Sequence, residues 1–228
     1  MKLGICAIVK DENQYLEEWI NYHLKMVDHI YIYDNESKEP ILPRENVTVK
    51  LWNDNEVGSQ MRAYKDLKAN CDLDLIAFID VDEFICTNKP LKEVLTDLKA
   101  YGDYDGLVMS WRMYGSDPYF TERQPQESYT KYRNNIHVKS FVNPKKLKYF
   151  PDPHFAWVSG LYIDEKGKAA FGPFRDHTSD HIWIKHIYTR SLPEWKEKIL
   201  RGSGDKVERN KTLEEFFEYN DFSSECEK

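Results

Sequence analysis

The fold is predicted from one stretch of sequence, LIAFIDVDEFI at residues 75–85, in which five apolar residues run into a cluster of acids. A short continuous apolar run is typical of a strand that is buried on both faces of a parallel sheet. Open α/β sheets bind ligands just beyond the carboxyl ends of such strands. Asp80 and Asp82 would stand there, and an Asp-x-Asp pair suits a hard divalent cation that carries a nucleotide diphosphate. The alternative is a solvated turn with an Asp helix cap, which the buried strand disfavours.

Strand and helix patterns alternate around this stretch over the first 110 residues. Apolar runs predict strands at residues 3–9, 29–33, 47–52, 75–79 and 106–111. Helical spacing predicts helices after Asp11, at 57–70 and at 90–100. This alternation predicts βαβ units, a mostly parallel sheet and a ligand site where the strands end at Val9, Tyr33 and Ile79.

The pattern loosens from residue 113 to about residue 180, where prolines interrupt it. One strand is predicted there at 137–142, followed by a strand at 183–188 and helices at 193–201 and 212–219. We interpret this region as an irregular, loop-rich half of one domain that covers residues 1–228.

Composition excludes several classes of protein. A net charge of -7 on 228 residues argues against a general nucleic-acid binder. No apolar run approaches the roughly 18 residues of a membrane span, and the start of the chain leads directly into a strand, so we expect a cytoplasmic protein. The four cysteines share no metal-type spacing and are predicted to be reduced thiols.

The chain resembles a known group of enzymes in four segments: ICAIVKDE (residues 5–12), YIYDNES (31–37), FIDVDEF (78–84) and HIYTRS (186–191). These look like family 2-like and family 92-like glycosyltransferases of GT-A fold, from residue 3 to about residue 202. The resemblance implies an α/β GT-A fold with a mostly parallel central sheet flanked by helices. It divides the domain into a nucleotide-binding half (1–112), an acceptor and metal-completing half (113–204) and a C-terminal helix and tail (205–228).

The resemblance also implies a metal site for Mn²⁺ or Mg²⁺. Asp80 would touch the donor ribose, the metal or a metal-bound water, and Asp82 would ligate the cation that bridges the diphosphate. His186 would complete the protein's ligands, although a lone histidine is often structural. His181 and His177 remain alternatives for that role.

A nucleotide pocket is implied at the ends of the first strands. Asp34 would accept hydrogen bonds from the base or ribose, with a turn-forming role as its alternative. The other residues expected around the donor are Val9, Lys10, Asp11, Arg62, Lys65, Val81 and His154.

The catalytic base is assigned to Asp117, in the loop after the fifth strand where an acceptor should bind. An inverting transferase needs such a carboxylate to take the acceptor proton. Asp117-Pro118 departs from the Gly-Ser-rich loop of the family, and Glu122, Glu127 and Asp176 remain alternatives. Two roles remain for the aromatic residues Trp111, Tyr114 and Trp157: they could pack in the core, or they could form a platform on which a sugar stacks.

The predicted function is inverting transfer of a sugar from a UDP-sugar donor, with UDP-galactose or UDP-glucose favoured, to a hydroxyl of a glycan or lipid-linked glycan in surface polysaccharide or glycolipid synthesis. The oligomeric state and a peripheral attachment at the inner face of the membrane stay open. Two alternatives remain. One is a nucleotide-sugar binding module without catalysis. The other is a haloacid-dehalogenase-like phosphatase, against which Phe84 and the missing downstream Asp-Asp pair argue.

Overall fold

The computed structural model describes residues 1–68, 71–116, 120–201 and 211–221. Its helices are α1 (Asn13–His23), α2 (Ser59–Lys68), α3 (Leu91–Asp97), α4 (Leu192–Arg201) and α5 (Leu213–Asn220), with short 3-10 helices at Leu98–Tyr101 and Gln126–Ser128. Its strands are β1 (Leu3–Val9), β2 (His29–Asp34), β3 (Val47–Leu51), β4 (Leu75–Phe78), β5 (Glu83–Thr87), β6 (Gly106–Gly115), β7 (Lys131–Val142), β8 (Leu147–Tyr149), β9 (Trp157–Val158), β10 (Tyr162–Ile163) and β11 (Ile182–Ile187).

Nine of the strands within the described ranges form one mixed sheet in the order β3-β2-β1-β4-β7-β6-β11-β5, with β10 added beside β6. Strands β1 to β4, β6 and β11 run in one direction, and β7 and β5 run against them. The α/β class predicted from sequence is confirmed. Since strands that run in one direction end at one edge, Val9, Asp34, Phe78 and Ile187 meet along the same side of the sheet.

Two parts of this sheet differ from the sequence prediction. Strand β5 was not predicted, and β7 begins six residues before the predicted residue 137. Strand β7 lies between β4 and β6 and runs antiparallel to both, in a sheet that was predicted to be mostly parallel. The helix predicted at 57–70 begins at Ser59, and residues 69 and 70 lie outside the described residues.

The sheet curls strongly between β4 and β5. These strands are four positions apart in the sheet, about 19 Å if the sheet were flat, since neighbouring strands lie about 4.8 Å apart. The chain from Phe78 to Glu83 reaches at most about 17 Å when fully extended. The connection at residues 79–82, which holds Asp80 and Asp82, therefore closes over the end of a curled sheet.

Helix α1 anchors the start of β5. The Trp19 indole donates to the Glu83 carbonyl (2.8 Å). His23 Nδ1 donates to the Trp19 carbonyl (2.9 Å), and its Nε2 accepts the Ile85 N–H (3.2 Å). Burial lowers the pKa of His23 to about 3, so the ring is neutral and both hydrogen bonds are kept.

Among the helices of the described ranges, none combines the length and apolar character that a membrane crossing requires.

Candidate functional site

Asp80 is held by two side chains. Its Oδ1 accepts from Gln60 Nε2 and its Oδ2 from Lys139 Nζ, both at 2.8 Å. Lys139 is fully buried on β7 and also lies 3.4 Å from Glu83 Oε2. Burial would lower the pKa of Lys139, yet Asp80 and Glu83 raise it, so the lysine is charged. Asp80 therefore forms the exposed end of a buried ion pair.

Glu83 supports the same turn from inside. Its Oε2 accepts the Asp80 N–H (2.9 Å), and its Oε1 is buried without a hydrogen bond, 3.9 Å from His186 Nδ1. Burial raises the pKa of Glu83 well above its usual range, although Lys139 opposes the shift.

Asp82 faces a different set of groups. Its Oδ2 accepts from Lys198 Nζ on α4 (2.7 Å), and its Oδ1 lies 3.5 Å from His186 Nε2. Burial would raise the pKa of Asp82, but Lys198 and then His186 hold it well below its usual range. The contact with His186 follows from strand register, because Glu83 pairs with His186 where β5 meets β11.

One carboxylate oxygen and one histidine nitrogen at this turn are spaced to share a divalent cation. Ligands at about 2.1 Å from one cation stand roughly 3 to 3.5 Å apart, so Asp82 Oδ1 and His186 Nε2 are spaced to share one. Burial lowers the pKa of His186, which favours the neutral ring that a cation needs. Both Asp80 oxygens are occupied by Lys139 and Gln60. Within the described residues, no group of three His, Cys, Asp or Glu side chains is placed to hold a metal ion.

The alternative histidines lie elsewhere. His181 and His177 precede β11, whereas His186 lies near its carboxyl end beside Asp82. His181 Nδ1 contacts Asn88 Nδ2 (3.0 Å), and His177 Nε2 contacts Ser179 Oγ (2.7 Å). Of the three candidates, the structure brings His186 to the acidic turn.

His154 joins an aromatic cluster around Trp111. The Trp111 ring centroid lies 5.0 Å from those of His154 and His137 and 4.3 Å from that of His186. Burial, with Lys139 nearby, lowers the pKa of His154 to about 2. The Trp111 Nε1 and His154 Nδ1 atoms are buried without hydrogen bonds. Tyr114 is buried, whereas Trp157 is 41% exposed on β9.

Four of the residues predicted around the nucleotide lie at the ends of β1 and β2: Val9, Lys10, Asp11 and Asp34. Asp34 Oδ1 accepts the Ser37 N–H (2.9 Å), which is the turn-forming role left open by the sequence. Asp11, with a positive φ of 55°, accepts the Lys38 N–H (2.9 Å) after the buried end of β1 at Val9. The Lys10 ammonium donates to Asn55 Oδ1 (3.1 Å). Roles toward a nucleotide remain predictions for all of these residues.

Two helical cations point to solvent. Arg62 is exposed and binds the Asp54 carboxylate through Nε (2.6 Å) and Nη2 (2.7 Å), and Lys65 is exposed on the same helix. A phosphate contact by Arg62 would compete with this ion pair.

The predicted base, Asp117, lies outside the described residues. The alternatives Glu122, Glu127 and Asp176 are exposed side chains. None of the three lines the cavity beside Asp82.

The sequence prediction missed five residues around the acidic turn: Gln60, Lys139, Arg190, Glu194 and Lys198. Arg190 was within a quoted segment, but only its structure shows a positive φ of 55° and an ion pair with Glu12 (3.0 Å). Amphipathic spacing could have placed Lys198 on the buried face of α4, one turn after Glu194. No local pattern marked Lys139.

Comparison with known proteins supports a glycosyltransferase at the general level. No protein-family model matches the chain. A glycosyltransferase family 92 protein of Oryza sativa subsp. japonica is 32% identical over 102 residues, and one of Ricinus communis is 29% identical over 92 residues. These matches cover 40% and 36% of this chain but 18% and 17% of the two relatives' own lengths.

A solved structure, mannose-1-phosphate geranyltransferase from Thermus thermophilus, aligns with 91% of this chain and 67% of its own. The TM-score is 0.29 at 13% identity, which is too low to assign a fold.

Proposed function

We propose that this protein is a metal-dependent, inverting glycosyltransferase of GT-A fold that moves a sugar from a UDP-sugar to a glycan hydroxyl. The proposal rests on one observation: Asp82 Oδ1 and His186 Nε2 lie 3.5 Å apart at the edge where parallel strands end. The similarity of the chain to family 92 glycosyltransferases supports it. UDP-galactose and UDP-glucose are the favoured donors, and the resemblance of the quoted segments supports that choice.

The side chains divide the work at the diphosphate. Asp82 and His186 would hold Mn²⁺ or Mg²⁺, which supplies positive charge to the diphosphate leaving group when it is bound. Asp80, fixed by Lys139 and Gln60, would orient the donor ribose or a bound water.

The nucleotide would lie along the ends of β1 and β2, over Val9, Lys10, Asp11 and Asp34. This location is supported by the common edge at which these strands end beside Asp80. The acceptor is proposed to be a glycan or lipid-linked glycan of surface polysaccharide or glycolipid synthesis, and a cytoplasmic setting remains part of the proposal.

The first test is Mn²⁺-dependent release of UDP from a panel of UDP-sugars, with UDP binding measured by calorimetry. We expect Asp82→Asn to lower the turnover rate at least about 100-fold, because it removes a charged cation ligand. Asp103→Asn is the matched control, since Asp103 is exposed and lies outside the site. The melting temperature of each variant checks that it is folded.

The outcomes separate the competing functions. Turnover that depends on Mn²⁺ and on Asp82 supports the transferase. UDP binding without turnover, also in the presence of glycan acceptors, indicates a binding module instead. Absence of any UDP binding would refute the proposal.

A further inference from the structure

A recess that is partly open to solvent lies beside Asp82, on the side of helix α1, and is called the cavity below. Its polar lining comes from Tyr15 and Glu18 on α1, Gln124 and Gln126 in the segment before β7, and Arg190 and Glu194 at the start of α4. Carboxylates, amides and aromatic rings together are suited to hydroxyl-rich ligands.

The charges of the cavity are mostly paired. Arg190 is bound to Glu12 (3.0 Å) and its guanidinium lies 3.3 Å from the centre of the Tyr15 ring. Glu18 accepts the Gln126 N–H (2.5 Å) and lies 3.6 Å from Arg123. Because the cavity's arginine is neutralised and acids surround it, a neutral sugar fits this lining better than an anion.

Glu194 differs from the other acids of the cavity. Its Oε2 accepts the Ser191 N–H (2.9 Å) and the Ser191 hydroxyl, as a capping box does at the start of a helix. Its Oε1 is buried without a hydrogen bond of ordinary geometry, although the Tyr15 side chain interacts with the carboxylate. Among the described residues it has no ion pair of its own. A buried carboxylate oxygen without a well-aligned donor is costly, so the hydroxyl of a ligand would satisfy it.

We propose that this cavity binds the acceptor sugar and that Glu194 Oε1 takes the proton of its attacking hydroxyl; this rests on the proposed transferase function. In the step, the hydroxyl oxygen forms a bond to the anomeric carbon of the donor. The bond from that carbon to the diphosphate oxygen breaks, and its electron pair leaves with UDP. The hydroxyl proton passes to Glu194, so the carboxylate ends the step protonated.

The decisive variant is Glu194→Gln, because glutamine keeps the cap to Ser191 but removes the basic oxygen. We expect UDP release from the preferred UDP-sugar to fall at least about 100-fold, the usual contribution of a general base. The dissociation constant for UDP should stay within about twofold, because the nucleotide lies elsewhere. Glu197→Gln on the exposed face of α4 is the matched control.

Turnover of Glu194→Gln within about threefold of the parent protein would overturn the assignment. Loss in Asp117→Asn with retention in Glu194→Gln would do the same and would assign the base to Asp117.

A second measurement does not need turnover or UDP. Saturation-transfer NMR with methyl glycosides of the common hexoses should detect binding to the parent protein. Gln124→Trp, which puts a bulky side chain into the lining of the cavity, should abolish that signal. If no glycoside binds, or if binding survives Gln124→Trp, the subsite is wrong. Failure of UDP binding, by contrast, refutes the proposed function, and the NMR measurement still shows whether the cavity binds a sugar.

Discussion

The two acids of the Asp-x-Asp turn lie two residues apart and have different neighbours. Asp80 is bound to a fully buried lysine and a glutamine, in a network that also fixes Glu83. Asp82 faces His186 and Lys198 and lines a cavity. One short motif thus holds a supporting carboxylate, Asp80, and an available one, Asp82. Both carboxylates bind a buried lysine, so the histidine beside Asp82 Oδ1 is what distinguishes them.

The largest change in stability is expected when the lysine that binds Asp80 and Glu83 is removed. Lys139→Met leaves Asp80 and Glu83 without their buried cation, so the free energy of unfolding should fall by about 3–5 kcal/mol in urea titrations. The exposed Lys148→Met is the control and should change it by less than about 0.5 kcal/mol. A loss below about 1 kcal/mol for Lys139→Met would show that the two acids do not differ in the way described.

A smaller change in stability is expected with pH, through His23, which anchors the start of β5. His23 holds the Ile85 N–H, and its folded pKa of about 3 lies below the unfolded value of about 6.5. The unfolded chain therefore binds the proton first, and stability falls as the pH drops below about 6.5. From pH 7 to pH 5 the expected loss is about 2 kcal/mol.

The His23→Gln variant checks this effect, because glutamine does not titrate. Urea unfolding across the same pH range should show a shallower slope in the variant. Equal slopes in the two proteins would contradict the assignment.

The smallest expected effect is a change in Mn²⁺ affinity at Asp82. Lys198 occupies Asp82 Oδ2 at 2.7 Å and would compete with a cation there. Lys198→Met should bind Mn²⁺ about tenfold more tightly, a gain of about 1.4 kcal/mol, as measured by electron paramagnetic resonance of free Mn²⁺. Lys196→Met, exposed on the same helix, should leave the affinity unchanged. Equal or weaker affinity in Lys198→Met would mean that the lysine is not a competitor.

The sequence predicted which residues share an edge of the sheet. The apolar runs of β1, β2, β4 and β11 fixed where strands end, because strand ends follow from local patterns of hydrophobic residues. His186 was expected beside Asp82 from the family resemblance, and the contact itself depends on strand β5, which the sequence did not predict. The turn at Asp34 was also within reach, since Asp-Asn is common turn chemistry.

The partners of these acids could not be predicted in the same way. Lys139 reaches Asp80 because β7 enters antiparallel between β4 and β6, and such long-range pairing leaves no mark in local periodicity. Glu194 and Lys198 face the site because the chain turns at Arg190 in a left-handed conformation, which is rare for arginine. Strand β5 was missed because its own sequence shows no clear strand pattern, and its pairing with β11 is a long-range contact.

The four-residue connection at 79–82 has a consequence for the circumference of the sheet. It spans strands that are four places apart in the sheet, so its length in residues sets how tightly the sheet can close. An insertion there would relax the curl and move Asp82 away from His186 without changing either side chain. We therefore expect related chains with this curl to keep the number of residues in the connection constant even where its identities change.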